Sequence, residues 1–220
     1  RFRLHYYSAL VKGAVRDPAK ALYGKGIMKG MIFTSFLYLV EEQYGLEMVD
    51  EVIAEAAPES GGIYTTVGNY DHTELIDMIV VLSKKINVSV VHLTKTFGMY
   101  LFAELIAAYP QWIDGLNSSF ALLHKVDGFI HGEVKKLYPD ASPPTFKCTD
   151  YTDTSMEVIY QSPRCLGDVA EGLIQGCAAY YGEKIFVRRE TLGDMSGSTE
   201  RFLLTLISSH GKAETAQVNG

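Results

Sequence analysis

The sequence predicts an α+β fold, with helices first and a small antiparallel sheet after, on the strength of three observations. Apolar residues recur at helical spacing over most of the chain up to Tyr138. After Pro139 the pattern changes to two-residue alternation in two pairs of segments, the mark of strands with one buried face. Between those pairs, residues 166–181 return to helical periodicity, so one helix separates two hairpins and the sheet has four strands. The 220 residues amount to one domain with appendages. A compact chain of that size buries roughly 70% of its extended surface and needs no disulfide or metal to stay folded.

The elements follow in order. Ile32, Phe33, Phe36, Leu37 and Val40 mark a helix from Met28 until Gly45 stops it. Residues 46–57 form a second short helix ended by Pro58, and Ser60-Gly61-Gly62 is a turn. Asp71 caps a helix running to about Lys85, with Glu74 three residues on completing a capping box. Asn87 or Ser89 opens the longest helical pattern, residues 90–109, closed by Pro110. Two further helices fall near residues 113–123 and 128–138. Residues 145–151 and 156–162 then alternate as strands around a turn at 150–155, and residues 184–191 and 201–207 form the second hairpin across 193–198. The expected body is residues 28–207, preceded by a basic extension, 1–27, and followed by a polar, frayed tail, 208–220.

Composition bounds the function. Apolar residues at 47% and charged residues at 21% are globular proportions and exclude a wholly disordered chain. Cys148, Cys165 and Cys177 are widely spaced with no CxxC, which argues for a reducing compartment and against a zinc motif. Residues 1–27 carry a net charge of +5 and the remaining 193 carry −11. An acidic body is a poor nucleic-acid binder, because phosphate affinity comes from Lys and Arg displacing counterions. Apolar stretches such as residues 36–40 fall far short of the ~20 residues that span a bilayer. Lys12 and Arg16 interrupt any signal-peptide core. The body is expected in the cytoplasm, with no membrane span and no nucleic-acid partner.

GxSxG, HExxH, GxGxxG and the phosphate-loop pattern are absent. His5, His72, His92 and His210 sit where surface or capping roles account for them. His131 differs. It adjoins Ile130 and precedes Val134 by three residues, so its imidazole points at the edge of the stripe marked by Ile130, Val134 and Leu137. Spacing alone fits a core histidine bonded to a carbonyl as well as it fits a ligand, and His124, on nearly the same face, is the rival ligand. The second constellation is Tyr160, Ser162 and Arg164, which strand alternation puts on one face. Two hydroxyls and a guanidinium there form a site for carboxylates or phosphate; a polar sheet rim is the equal alternative. Together, one histidine and one anion clamp match what haem b requires, an axial nitrogen and partners for two propionates.

With those residues in view, the sequence resembles a bacterial H-NOX domain, the haem nitric oxide/oxygen-binding (HNOB) family. Met28-Lys-Gly-Met-Ile-Phe33 is similar to the family's opening, Phe129-Ile-His-Gly-Glu-Val-Lys-Lys-Leu137 to its proximal-histidine helix, and Ser142-Pro-Pro-Thr-Phe146 to the segment after it. Tyr160, Ser162 and Arg164 fill its YxSxR motif. The resemblance runs from Met28 to about Ile207. It implies the H-NOX fold, with haem b buried between helices and sheet. It also implies His131 as the axial iron ligand and Tyr160, Ser162 and Arg164 as the propionate clamp, with Ile32, Leu105, Pro144 and Leu173 against the macrocycle. Pro144 would press the macrocycle out of plane, and His124 becomes a bystander.

Some relatives bind zinc through cysteines beyond the sheet. Gly167 and Val169 stand at two of those places and no cysteine follows Cys177, so zinc is not expected. The distal places that hold a hydrogen-bonding tyrosine, tryptophan and asparagine in O2-binding relatives fall on Val169, Phe36 and Leu101; Tyr100, beside Leu101, would enter only by helix rotation. The expected protein is a non-enzymatic sensor of NO that also binds CO and excludes O2. It would signal by iron–histidine bond breakage to a histidine kinase or a cyclic-di-GMP-metabolising enzyme. A peroxidase-type haem enzyme and a haem-free scaffold are the alternatives. Residues 1–27 match nothing in the family and are expected to be translated leader or other non-native sequence, with a basic helix that docks a partner or an anionic membrane surface as the second reading.

Overall fold

The computed structural model describes residues 26–193 and 199–209. Most of the basic extension, the tip of the second hairpin and all of the polar tail but Ser208 and Ser209 lie outside the described residues. The architecture is α+β, with an N-terminal helical layer and a four-stranded antiparallel sheet of order β3-β4-β6-β5.

A two-stranded ribbon, β1 (Ile27–Lys29) with β2 (Asn69–Asp71), opens the described chain. This corrects the expected helix start: Met28 and Lys29 pair with Tyr70 and Asn69, so helix α1 (Gly30–Tyr44) begins two residues late. No side chain caps α1. Its first N–H groups bond to a loop instead, Gly30 N to Gly68 O at 2.9 Å and Met31 N to Thr66 O at 3.1 Å. Only glycine fits at position 30, where a Cβ would collide with the Thr65 carbonyl.

Helix α2 (Leu46–Ala56) ends in a left-handed Ala57 ahead of Pro58. Asp71 caps helix α3 (His72–Ile86) by accepting from Thr73 N at 2.9 Å. The expected return bond from Glu74 gives way to a tertiary one: its carboxylate accepts from Ser60 Oγ at 2.6 Å and Tyr64 Oη at 2.8 Å. Asn87 closes α3 with φ 53°, and Ser89 caps helix α4 (Val90–Ala108), so the two candidate caps divide the work.

The two helices expected near residues 113–123 and 128–138 take a different form. Pro110–Ile113 is a single 3-10 turn; Gly115 at φ 70° breaks the chain and Ser118 caps helix α5 (Ser119–Lys125). From there the backbone stays helical through a π-turn, Val126–Ile130, into helix α6 (His131–Leu137). After strands β3 (Thr145–Thr149) and β4 (Ser155–Gln161) come helix α7 (Gly167–Tyr180) and strands β5 (Glu183–Thr191) and β6 (Thr199–Ser209). β6 outruns its expected end because Ser208 and Ser209 pair with Lys184 and Glu183.

Two apolar clusters form the core. One gathers Phe33, Phe36, Leu75, Met78, Ile79 and Phe97 from α1, α3 and α4. The other joins Phe102 and Ile106 of α4 to Phe146, Val158, Phe202 and Ile174 of the sheet and α7. Each such buried side chain contributes roughly 1.5–3 kcal/mol. α4 is, among the described residues, the one helix long and apolar enough to cross a membrane. Here it is the spine shared by both clusters, with Phe97 in one and Phe102 in the other.

Candidate functional site

A cavity of about 290 Å³ lies between the clusters. Its wall is apolar almost throughout, drawn from α1, α4, the stretch from α5 to α6, the 141–146 segment and α7. Exposed Asn69 and Asp140 line it as well, as do the cations Lys29 and Arg164.

His131 is the first residue of α6 and lines the cavity, its side chain 16% exposed. Nδ1 stands 3.4 Å from the Asp127 carboxylate, one helical turn back, and the same oxygen accepts from Phe146 N at 3.2 Å. Burial holds the imidazole below its usual pKa; Asp127 opposes this and Lys135 adds to it. The neutral ring that results is the form that ligates metals, and a carboxylate on one nitrogen fixes the tautomer that offers the other. Ile130, Val134 and Leu137 line the cavity with it. Ile130 and Val134 also pack at the edge of the second cluster, whereas Leu137 is 56% exposed.

Tyr160 is buried in β4, and burial raises its pKa, so it keeps its hydroxyl proton. Strand alternation does not carry past Gln161. The chain turns there, with Cys165 N donating to Ser162 O at 3.2 Å and Cys165 at φ 54°. Tyr160 and Arg164 line the cavity; Ser162 does not, and its Oγ instead accepts from Arg164 N at 3.2 Å, bracing the turn. The Arg164 guanidinium donates to Ile27 O at 3.2 Å and to Ser142 O at 2.7 Å, and desolvation lowers its pKa.

Ile32, Leu105, Pro144 and Leu173 all line the cavity, as do Leu101 and Val169. Phe36 is buried but lies behind the wall, edge-on to Phe97 with ring centroids 5.4 Å apart. Tyr100 also lies off the wall; burial, then Glu104 and a hydrogen bond to Glu42, push its pKa to about 12. His124 is exposed and stacks on Tyr151, ring centroids 5.3 Å apart. Sequence reasoning missed Asp127, readable four residues before His131, and missed Lys29, Asn69 and Asp140, which no local pattern marks. Among the described residues no three His, Cys, Asp or Glu side chains gather to hold a metal ion.

Residues 29–189 match the family model described as Haem-NO-binding. The chain belongs to the H-NOX family. Solved H-NOX structures similar to it include the Fe(II) unliganded protein from K. algicida, 32% identical with TM-score 0.76, covering 83% of this chain and 98% of that one. The IWP-051-bound H-NOX from Shewanella woodyi in the Fe(II)CO state is 40% identical with TM-score 0.70, covering 86% and 98%. The S. oneidensis H-NOX in the Fe(II)NO state is 26% identical with TM-score 0.75, covering 82% and 100%. H-NOX domains are haem-based gas sensors rather than enzymes, and the residues of this H-NOX cavity fit haem. One neutral-leaning imidazole stands on a largely apolar wall, and the Arg164 guanidinium and the Tyr160 phenol on that wall can meet carboxylates.

Proposed function

We propose that this H-NOX domain binds haem b, takes NO and CO at the ferrous iron, excludes O2 and signals by releasing His131. Ferrous haem supplies the site that diatomic gases bind. His131 is the protein's ligand to it, held in its tautomer by Asp127. Arg164 and Tyr160 receive the propionates, and Ser162 holds the turn that carries Arg164. Ile32, Leu105, Pro144 and Leu173 line the cavity and would frame the macrocycle, with Pro144 bearing on its face. No zinc is required.

The observation that carries this reading is the contrast across the cavity wall. His131 with its Asp127 brace is the polar group at α6, whereas Leu101 and Val169 present hydrocarbon. A haem held there would supply the iron at which NO binds, and His131, kept neutral by burial, is the residue that would give way. Once His131 lets go, α6 is free to move, and the two arrangements of the domain differ in what a partner can recognise. The partner is a histidine kinase or a cyclic-di-GMP-metabolising enzyme, met in the cytoplasm.

Absorption spectra of the haem-loaded, reduced protein test this. CO should give a six-coordinate complex and NO a five-coordinate nitrosyl. A nitrosyl that stays six-coordinate at equilibrium while the partner still responds rejects the release of His131. Failure to take up haem rejects the whole reading.

A further inference from the structure

Helix α6 has little to hold it in place. None of its residues is buried. The π-turn before it buries Ile130 alone, and Gly128 and Gly132 stand in open space. Val134 packs against the edge of the second cluster, and the polar ties that fix the helix lie at its two ends. At the first, the Asp127 carboxylate accepts from Phe146 N. At the second, the chain leaves α6 through Tyr138 and reaches Asp140, whose carboxylate takes Lys29 Nζ at 2.8 and 2.9 Å and also accepts from Asn69 Nδ2. Lys29 and Asn69 are paired across the β1–β2 ribbon, so both strands grip one carboxylate.

Lys29 is well placed for this. Its Nζ also donates to Val67 O at 3.2 Å and lies 5.1 Å from the centroid of the Tyr138 ring, with the side chain 12% exposed. An ion pair so largely removed from water on its cationic side is worth more than one on open surface. Arg164 makes a second tie between the same two pieces of chain, from Ile27 O to Ser142 O. The ribbon leads directly into α1 at Gly30 and into α3 at His72. Whatever shifts the 138–142 segment therefore pulls on both helices.

We propose that Lys29, Asn69 and Asp140 form a latch that fixes the C-terminal end of α6 to the β1–β2 ribbon, making Lys29 and Asp140 positioning residues for His131. The proposal rests on the reading of His131 as the iron ligand and adds what restrains it. With the latch closed, α6 resists moving outward when NO weakens the bond to His131. With it open, release is easier and the helical layer no longer feels the displacement.

The test uses the full chain, haem-free and haem-loaded, with Lys29→Met, Asp140→Asn and the double variant. In the haem-free protein, amide exchange across residues 131–142 should quicken about two- to fivefold in each single variant, the range an incompletely buried ion pair supports, and no further in the double. In the loaded protein, conversion of the nitrosyl from six- to five-coordinate should quicken by a similar factor.

Unchanged exchange overturns the latch. So do fully additive effects in the double variant, because they mean that the two residues act separately. Faster haem loss to an acceptor, with exchange and nitrosyl conversion at wild-type rates, also overturns it and makes Lys29 a direct propionate partner. A wild-type chain that takes up no haem fails the His131 reading alone, since exchange in the haem-free protein still decides whether the latch holds α6.

Discussion

Gly98 of α4 and Gly172 of α7 meet backbone to backbone. A Cβ on Gly98 would stand 2.9 Å from the Gly172 Cα, and one on Gly172 would stand 2.8 Å from the Gly98 Cα. A methyl group has nowhere to go, because its nearest neighbours also include the carbonyls of Val169 and Lys95. Gly172→Ala gains about 1 kcal/mol of helix propensity but overpacks a site that cannot relax, at a cost of about 1–3 kcal/mol. The clash should win and lower the urea midpoint. Gly132→Ala, in open space within α6, should raise it. A stabilised Gly172→Ala would show that the two helices can separate at little cost.

The two histidines that sequence spacing leaves as rivals are set apart by their surroundings. His131 lines the cavity and His124 stacks on Tyr151 outside it. His131→Gly should abolish haem retention unless free imidazole is supplied, and His124→Ala should leave the Soret band intact. The reverse outcome would move the ligand to His124.

Arg164, on the cavity wall, spends its donors on two main-chain carbonyls, Ile27 O and Ser142 O. Bonds from a charged donor to a carboxylate contribute roughly 1.5–3 kcal/mol, so Arg164→Ala should weaken haem retention at least about tenfold. Arg164→Lys keeps the charge without the fork and should fall between. Haem loss to an acceptor protein measures both, and an unchanged rate for Arg164→Ala would return the residue to a structural tie.

His72 bears on pH dependence. It is buried beside Arg164, with Nδ1 3.3 Å from the Asp71 carboxylate. Burial, the largest cause, lowers its pKa; Asp71 opposes and Arg164 adds. The unfolded chain therefore binds a proton at about pH 6.5 that the folded chain refuses until a lower pH. Stability from this group is full above the unfolded value and declines as pH falls below it, toward the lowered folded value. Urea titrations should show that slope in the wild type and a flatter one in His72→Gln. Equal slopes would mean that His72 charges as easily folded as unfolded.

What the sequence makes legible here is whatever is decided locally. Asp71, Asn87 and Ser89 act as caps because their short polar side chains or left-handed tolerance suit helix ends. The four strands alternate because one sheet face packs on α7. The β1–β2 ribbon is not legible, since three-residue strands carry no period and Gly30 meets its loop only in the folded chain. The π-turn leaves no mark beyond Gly128. Alternation places Tyr160, Ser162 and Arg164 together, yet the turn at 162–165 sends Ser162 to the backbone and Arg164 to the cavity. Lys29 and Asp140 are 111 residues apart, and no pattern in either neighbourhood names the other.

The distal wall sets the last expectation. Bound O2 on ferrous haem carries partial negative charge and is retained by a hydrogen-bond donor, from which NO gains far less. Leu101 and Val169 line the cavity without one, Phe36 lies behind it, and Tyr100 is turned to Glu42. A missing bond of roughly 1–3 kcal/mol is about 5- to 150-fold in affinity, enough to favour NO under air. Reduced protein mixed with air-saturated buffer should therefore show no persistent oxy spectrum, and Tyr100→Phe should behave as the wild type does. An oxy complex that survives, and that Tyr100→Phe removes, would mean that α4 rotates to bring the phenol inward. Val169→Tyr makes the converse test. Residue 169 sits in the first turn of α7 on the cavity wall, and a phenol there should slow O2 loss wherever Leu101 and Leu173 leave room for the ring.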